Sequence, residues 1–433
     1  MKIPKTVKYR LYGEMTYVRN IASRKNYLFN SIVFDLLQII SSIPDCTESI
    51  LLKELEKQYK IENVETFSRD IRSFIQELVS EELVQVDMKN QSHEEVTSLL
   101  QRQCIQGHFL YGACLELTYR CNEHCIHCYV DDQKYGQEMN FKQYKKLLDE
   151  LKELGCISLL LTGGEVSLHP DFLDIAEYAS EKGFLVDIYT NGYCITEEMF
   201  RRMVALVPNS ISFSFYGGDA ESHDAVTQIS GSFEKSLKSL MAFKCAGIDT
   251  YIKTIALQQN IDRLEKLYQL GKILDIPVEM TKLVLPSHEG TKNVCEFRLN
   301  ETSQYIRLLE WEERYLNRLP QKRGWETGTP FCGAGQCTLS IDPYGNISPC
   351  NALKINLGNV SKYSLHEIWN KMEMILDSRL PVGHLMQSCS LCQYQEFCNI
   401  CLGRTFSSEG RFEVAQEICL AAKASYQYLK ERR

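Results

Sequence analysis

Apolar positions recur along this chain with two periods, and the change from one to the other divides it. Alternation over Tyr9–Tyr12 and Met15–Val18, around a turn at Gly13-Glu14, predicts two short strands. Ser31–Ile43 then carries Val33, Leu36, Leu37 and Ile40 at helical spacing. A second helix is predicted over Ser49–Tyr59, with Leu51, Leu52 and Leu55 on one face. A third is predicted over Val64–Leu83, with Phe67, Ile71, Phe74, Ile75 and Leu78, and Leu83–Val86 reads as a returning strand. Strands, three helices and a strand make a small winged-helix-like unit over residues 1–90. Met88–Gln106 is polar, and residues 91–111 are expected to be a linker.

From residue 112 strands and helices alternate. Strands are predicted at 115–118, 157–161, 184–189, 211–215, 251–257 and 278–283. Helices are predicted at 141–154, 172–181, 197–206, 233–246, 261–274 and 305–319. Six such units imply a parallel sheet of α/β class, a partial TIM-type (β/α)6 barrel over 112–320. In such barrels the chemistry sits on loops at the carboxyl ends of strands. Residues 321–433 form a third, cysteine-rich unit.

Composition narrows the function classes. The 433 residues carry a net charge of -8, which gives nucleic acid no electrostatic footprint. Met1-Lys2-Ile3-Pro4-Lys5 opens no apolar signal region, and no apolar run approaches a membrane span. A cytoplasmic location is expected. Eighteen cysteines in a reducing compartment point to metal ligation more than to disulfides. Eleven fall into motifs. Cys46, Cys104, Cys114, Cys156, Cys194, Cys245 and Cys295 are scattered and read as small buried hydrophobes.

The first motif is Cys121-x3-Cys125-x2-Cys128, directly after the first barrel strand. Three thiolates at this spacing suit three irons of a [4Fe–4S] cube and leave the fourth open to a ligand. A zinc knuckle completed by His124 or His127 is the alternative. The second strand ends in Thr162-Gly163-Gly164-Glu165. Glycines there let backbone approach a ligand closely, and Glu165 can accept from an ammonium group. The third strand closes on Thr190-Asn191 and the fourth on Ser214. These polar groups suit a ribose or carboxylate, although either is also an ordinary turn former. Lys253 on the fifth strand is placed to pair with a carboxylate, or is solvated.

Together the cysteine triplet and Gly-Gly-Glu resemble the radical S-adenosylmethionine (SAM) enzymes. The resemblance implies that Gly163, Gly164 and Glu165 hold the methionine end of SAM, that Thr190, Asn191, Ser214 and Lys253 contact SAM, and that His127 and Tyr129 lie near its adenine. It implies reductive cleavage of SAM to methionine and a 5′-deoxyadenosyl radical, which takes a hydrogen from an unactivated C–H. A flavodoxin- or ferredoxin-type donor would supply the electron.

The C-terminal cysteines resemble the SPASM domain, with signature C-x(9–15)-G-x4-C, then C-x2-C-x5-C-x3-C, then a last cysteine. Twelve residues separate Cys332 from Gly345, and four separate Gly345 from Cys350. Cys389-x2-Cys392-x5-Cys398 matches, but Cys401 follows after two residues instead of three. By the resemblance, Cys332, Cys337, Cys350 and Cys401 hold one auxiliary [4Fe–4S] cluster, and Cys389, Cys392, Cys398 and Cys419 a second. Paired zinc sites are the alternative. With the SAM cluster this makes three clusters.

The front unit looks like a PqqD-type domain, which binds the leader of a ribosomally made precursor peptide as an added strand. A winged-helix DNA binder or a plain packing domain is the alternative. A peptide maturase follows, with a thioether between a cysteine sulfur and a carbon as the leading product. Carbon–carbon or carbon–oxygen crosslinking and epimerisation are the other outcomes. Sulfatase maturation is disfavoured, since that group carries an Asp after the cysteine matching Cys350, and here Asn351 stands. A non-catalytic scaffold is disfavoured by the intact Cys121, Cys125, Cys128 and Glu165.

Overall fold

The computed structural model describes residues 3–43, 46, 48–59, 61, 63, 66, 67, 69–71, 73–75, 100, 103–130, 136–288, 290, 292–322, 333–379, 389, 391–405 and 414–431. The front unit opens with a three-stranded antiparallel sheet, β1 (Val7–Tyr12), β2 (Met15–Asn20) and β3 (Lys25–Asn30), with β2 central. The third strand was not foreseen. Its burial alternates weakly, and it runs into helix α1 (Ser31–Ser42) at Asn30 without a separating loop. Helix α2 spans Glu48–Gln58, and residues 66, 67, 69–71 and 73–75 are helical. Leu36, Leu37, Leu51, Leu55, Ile71 and Ile75 form one buried cluster there, as their spacing requires. The strand expected at 83–86 lies outside the described residues.

The barrel follows its expected order. Strands β4 (Gly112–Glu116), β5 (Ser158–Thr162), β6 (Leu185–Thr190), β7 (Ser210–Ser214), β8 (Thr250–Ile255) and β9 (Val278–Thr281) pair in parallel, each with the next. Leu159, Leu161, Val186, Ile188, Ile211, Phe213 and Ile252 pack outward against the helices. The opposite face is polar. Asp187, Tyr189, Ser210, Ser212, Lys253 and Glu279 help line an inner cavity of about 330 Å³. Capping matches the sequence locally: Asn140 and Gln143 form a capping box on helix α3 (Phe141–Glu153), and Thr196 caps the helix Glu197–Leu206.

Two contacts tie the terminal units to this barrel. Strand β10 (Thr338–Ile341) pairs in parallel with β4, and β11 (Asn346–Ser348) and β12 (Gly358–Asn359) continue the sheet. The C-terminal unit therefore extends the barrel sheet to nine strands. The front unit docks at the amino ends of the strands. Lys8 donates to the Ser180 carbonyl at 3.0 Å, Arg10 to the Cys156 carbonyl at 3.0 Å, and the buried Arg19 to Asn209 at 3.2 Å. Tyr12, Tyr17, Ile21 and Leu28 pack with Leu100, Cys104, Ile157, Leu185 and Cys337. Within the expected linker, Leu100 and Cys104 are thus fully buried. Cys46 and Cys156 are buried as expected, but Cys245 is exposed, because it closes the outer helix Ser232–Cys245. Among the described residues no helix is long and apolar enough to cross a membrane.

Candidate active site

Two strand ends meet at the cysteine loop. The Gly164 N–H donates to the Thr118 carbonyl at 2.7 Å, and Glu165 N–H to that of Arg120 at 2.9 Å. This contact explains the glycines. Gly163 has φ of 153°, and a Cβ on it would lie 2.3 Å from Thr118 O. A Cβ on Gly164 would lie 2.5 Å from Arg120 O. The close approach is thus to the chain's own cysteine-bearing loop, where the sequence reading expected an approach to a ligand. Gly163→Ala is expected to push this loop off β5 and destabilise the protein by about 3 kcal/mol. A lowered Tm together with reduced bound iron would show it; an unchanged Tm would refute it.

Glu165 is fully enclosed, and its carboxylate is oriented from three sides. Thr190 Oγ1 donates to Oε1 at 2.7 Å, Ser167 N–H to Oε1 at 3.0 Å, and Asn191 N–H to Oε2 at 2.7 Å. Asn191 reaches on to the cysteine loop, donating to Asn122 Oδ1 at 3.0 Å and toward Cys121 Sγ at 4.0 Å. The expected residues Glu165, Thr190, Asn191 and Cys121 therefore form one connected set.

Burial pushes the Cys121 thiol up to about 12, with the charges of Glu165, Glu123 and Cys128 adding to it. Cys125 is pushed up further by burial, then by Glu123, Cys128 and Cys121. Three thiolates on this one loop would repel one another, and a cationic iron centre would relieve that repulsion. The donor set fits an iron–sulfur cluster in this sense. Among the described residues, no three His, Cys, Asp or Glu side chains already stand in metal-holding geometry.

The remaining expected SAM contacts are less uniform. His127 stands edge-on to Tyr216 with centroids 4.8 Å apart, and burial drives its pKa to about 4, so the ring is neutral. Tyr129 turns its hydroxyl to Glu116, donating to Oε1 at 3.0 Å. Ser214, the last residue of β7, is the register partner of Lys253 within β8. Lys253 does not point free at a ligand: it pairs with Glu279 and stands 5.1 Å above the Tyr189 ring.

In the C-terminal unit, Cys398 is pushed up to about 12 by burial, then by the charges of Cys419, Cys389 and Cys392. Those four are the set expected for one auxiliary cluster. For the other set, Cys332 lies outside the described residues. A Cβ on Gly403 would lie 2.4 Å from Ala352 O, so the turn after Cys401 packs on the loop after Cys350. Cys337 is wholly buried beside Cys104.

One group escaped the sequence reading. Glu116, the last residue of β4, is wholly buried and pairs with Lys354 at 2.5 Å. Tyr119 also donates to it, at 3.2 Å. The signal in the sequence was a lone acidic residue at the carboxyl end of a barrel strand.

The profile of the radical SAM superfamily matches residues 115–271, and that of the SPASM iron–sulfur cluster-binding domain matches 332–393. These two domains define the class: a radical SAM enzyme with a SPASM domain appended to its barrel. Among named relatives, the chain is 26% identical over 337 residues to an AdoMet-dependent heme synthase of Methanosarcina barkeri, covering 70% of this chain and 95% of that one. It is 28% identical over 325 residues to the mycofactocin maturase MftC of Mycolicibacterium smegmatis, covering 71% and 77%. Its fold matches that of Streptococcus suis SuiB bound to precursor peptide SuiA with a TM-score of 0.63 at 14% identity, over 96% of this chain and 99% of that one.

Proposed function

We propose that this enzyme matures a ribosomally made precursor peptide, forming a thioether from a cysteine sulfur to a carbon of the same peptide. One observation carries the peptide over a porphyrin. The fold of SuiB, a protein solved with a precursor peptide bound, matches 96% of this chain, front unit included. A PqqD-like leader-binding role for residues 1–90 fits the small antiparallel sheet, in which β3 is an edge strand among the described residues.

Bound SAM and a [4Fe–4S] cluster on Cys121, Cys125 and Cys128 would supply the 5′-deoxyadenosyl radical. The chain's own part is to hold and shield. Glu165, fixed by Thr190 and Asn191, offers its remaining lone pairs to the ammonium of SAM. Neutral His127 offers an uncharged ring to adenine, and Ser214 a hydroxyl to the ribose. Lys253 would bind the SAM carboxylate by leaving Glu279. Cys332, Cys337, Cys350 and Cys401, and Cys389, Cys392, Cys398 and Cys419, would hold two auxiliary clusters, giving three in all. Full cysteine ligation suits electron transfer. A flavodoxin- or ferredoxin-type protein would be the donor, in the cytoplasm.

The test is anaerobic co-expression with a short peptide encoded beside this chain, read by mass spectrometry. Loss of two hydrogens with one cysteine protected from alkylation is the expected result. The same loss with every thiol free would mean a carbon–carbon or carbon–oxygen link. No mass change in water, with one deuteron gained in heavy water, would mean epimerisation. An unmodified peptide beside an altered porphyrin would overturn the reading.

A further inference from the structure

Glu116 lies on the face of β4 opposite Leu115 and Leu117, which pack into the outer core. Its buried carboxylate takes three donors. Lys354 Nζ at 2.5 Å and Tyr119 OH at 3.2 Å reach Oε2, and Tyr129 OH at 3.0 Å reaches Oε1. The two tyrosines bracket the loop of Cys121, Cys125 and Cys128. Lys354 comes from the C-terminal unit, four residues past Cys350. The dyad therefore joins the cysteine loop to the first auxiliary cysteines. Its two members differ in access: the Glu116 side chain is 0% exposed and that of Lys354 is 29% exposed. The carboxylate is closed to solvent, while the lysine side chain is partly open to it.

Two other carboxylates on this inner face are committed elsewhere: Asp187 accepts from Asn209 and Ser210, and Glu165 from Thr190, Ser167 and Asn191. Asn351, directly after Cys350, is an amide and takes no proton.

The geometry points to the Lys354–Glu116 dyad as the proton acceptor of the peptide oxidation, an inference that rests on the function proposed above. The substrate C–H gives its hydrogen atom to the 5′-deoxyadenosyl radical. The new C–S bond replaces the thiol S–H, which releases one proton and one electron. The electron would be taken by an oxidised iron–sulfur cluster on the proposed C-terminal cysteines. The proton goes to Lys354 as Lys354 hands one to Glu116. The dyad ends as a neutral carboxylic acid in the buried position and an ammonium in the accessible one, which places the surviving charge where water or substrate can solvate it.

Glu116→Gln and Lys354→Met, made in the full chain and loaded with iron, test this with the same co-encoded peptide, deuterated on its carbons. Expected are wild-type iron content, wild-type deuterium transfer into 5′-deoxyadenosine, and a tenfold or greater rise in the ratio of 5′-deoxyadenosine to crosslinked peptide. Lys354→Arg should recover only part of the coupling, since guanidinium does not give up its proton. An unchanged ratio in both variants would overturn the dyad while leaving the peptide reading intact. Loss of iron and of deuterium transfer together would also overturn it, in favour of a structural ion pair. A wild-type enzyme that cleaves SAM but leaves the peptide unmodified would sink the peptide reading, and the dyad's role with it.

Discussion

Replacing Cys121, Cys125 and Cys128 together by alanine is expected to abolish 5′-deoxyadenosine formation and, on the proposed count of three four-iron sites, to remove about a third of the bound iron. The protein should still fold. The cysteine loop is held by backbone contacts of Gly164 and Glu165 to Thr118 and Arg120, and by Asn191, none of which needs a thiol. Burial opposes ionisation of Cys121 and Cys125, so replacing them leaves no unpaired charge behind. The contrasting variant replaces Cys389, Cys392 and Cys398. It should lose a similar share of iron yet keep SAM cleavage, because those residues sit in the C-terminal unit. Iron analysis and chromatography of 5′-deoxyadenosine read both. Residual SAM cleavage in the first variant would show that the triplet is not the cleavage site.

The elements that were legible share one property: each buries a continuous stripe of its own. The barrel strands and helices α1–α3 belong to this kind, and their predicted bounds stand within a few residues of those found. Strand β3 carries little buried surface and abuts a helix, so no turn marked it. The helix Ala220–Thr227 was missed because AESHDAVT shows no apolar period. Strand β10 has four residues and pairs with β4 across more than two hundred residues, which local pattern does not encode. The site divides in the same way. Cysteine spacing and Gly-Gly-Glu are local and were readable. What those glycines touch, that Lys253 has Glu279 for a partner, and that Glu116 meets Lys354 are consequences of packing between segments distant in sequence.

A peptide stripped of its leader is expected to be processed about 100-fold less efficiently in kcat/KM, a loss of roughly 2.7 kcal/mol of binding. Slow uncoupled SAM cleavage should be unchanged. The structure argues against the converse experiment, deletion of residues 1–90. Tyr12, Tyr17, Ile21 and Leu28 pack on Ile157, Leu185 and Cys337, and Arg10 and Arg19 bond to the barrel, so deletion would strip the barrel floor and confound binding with stability. Trimming the substrate leaves the enzyme whole. The magnitude follows from strand addition: several main-chain hydrogen bonds of about 1 kcal/mol each, less the cost of ordering the leader. Saturating peptide should then recover much of the rate, since the leader acts on capture and not on the radical step. A leaderless peptide processed at the full rate would remove the leader-binding role from the front unit. It would leave the docked sheet as a brace for the amino ends of the barrel strands.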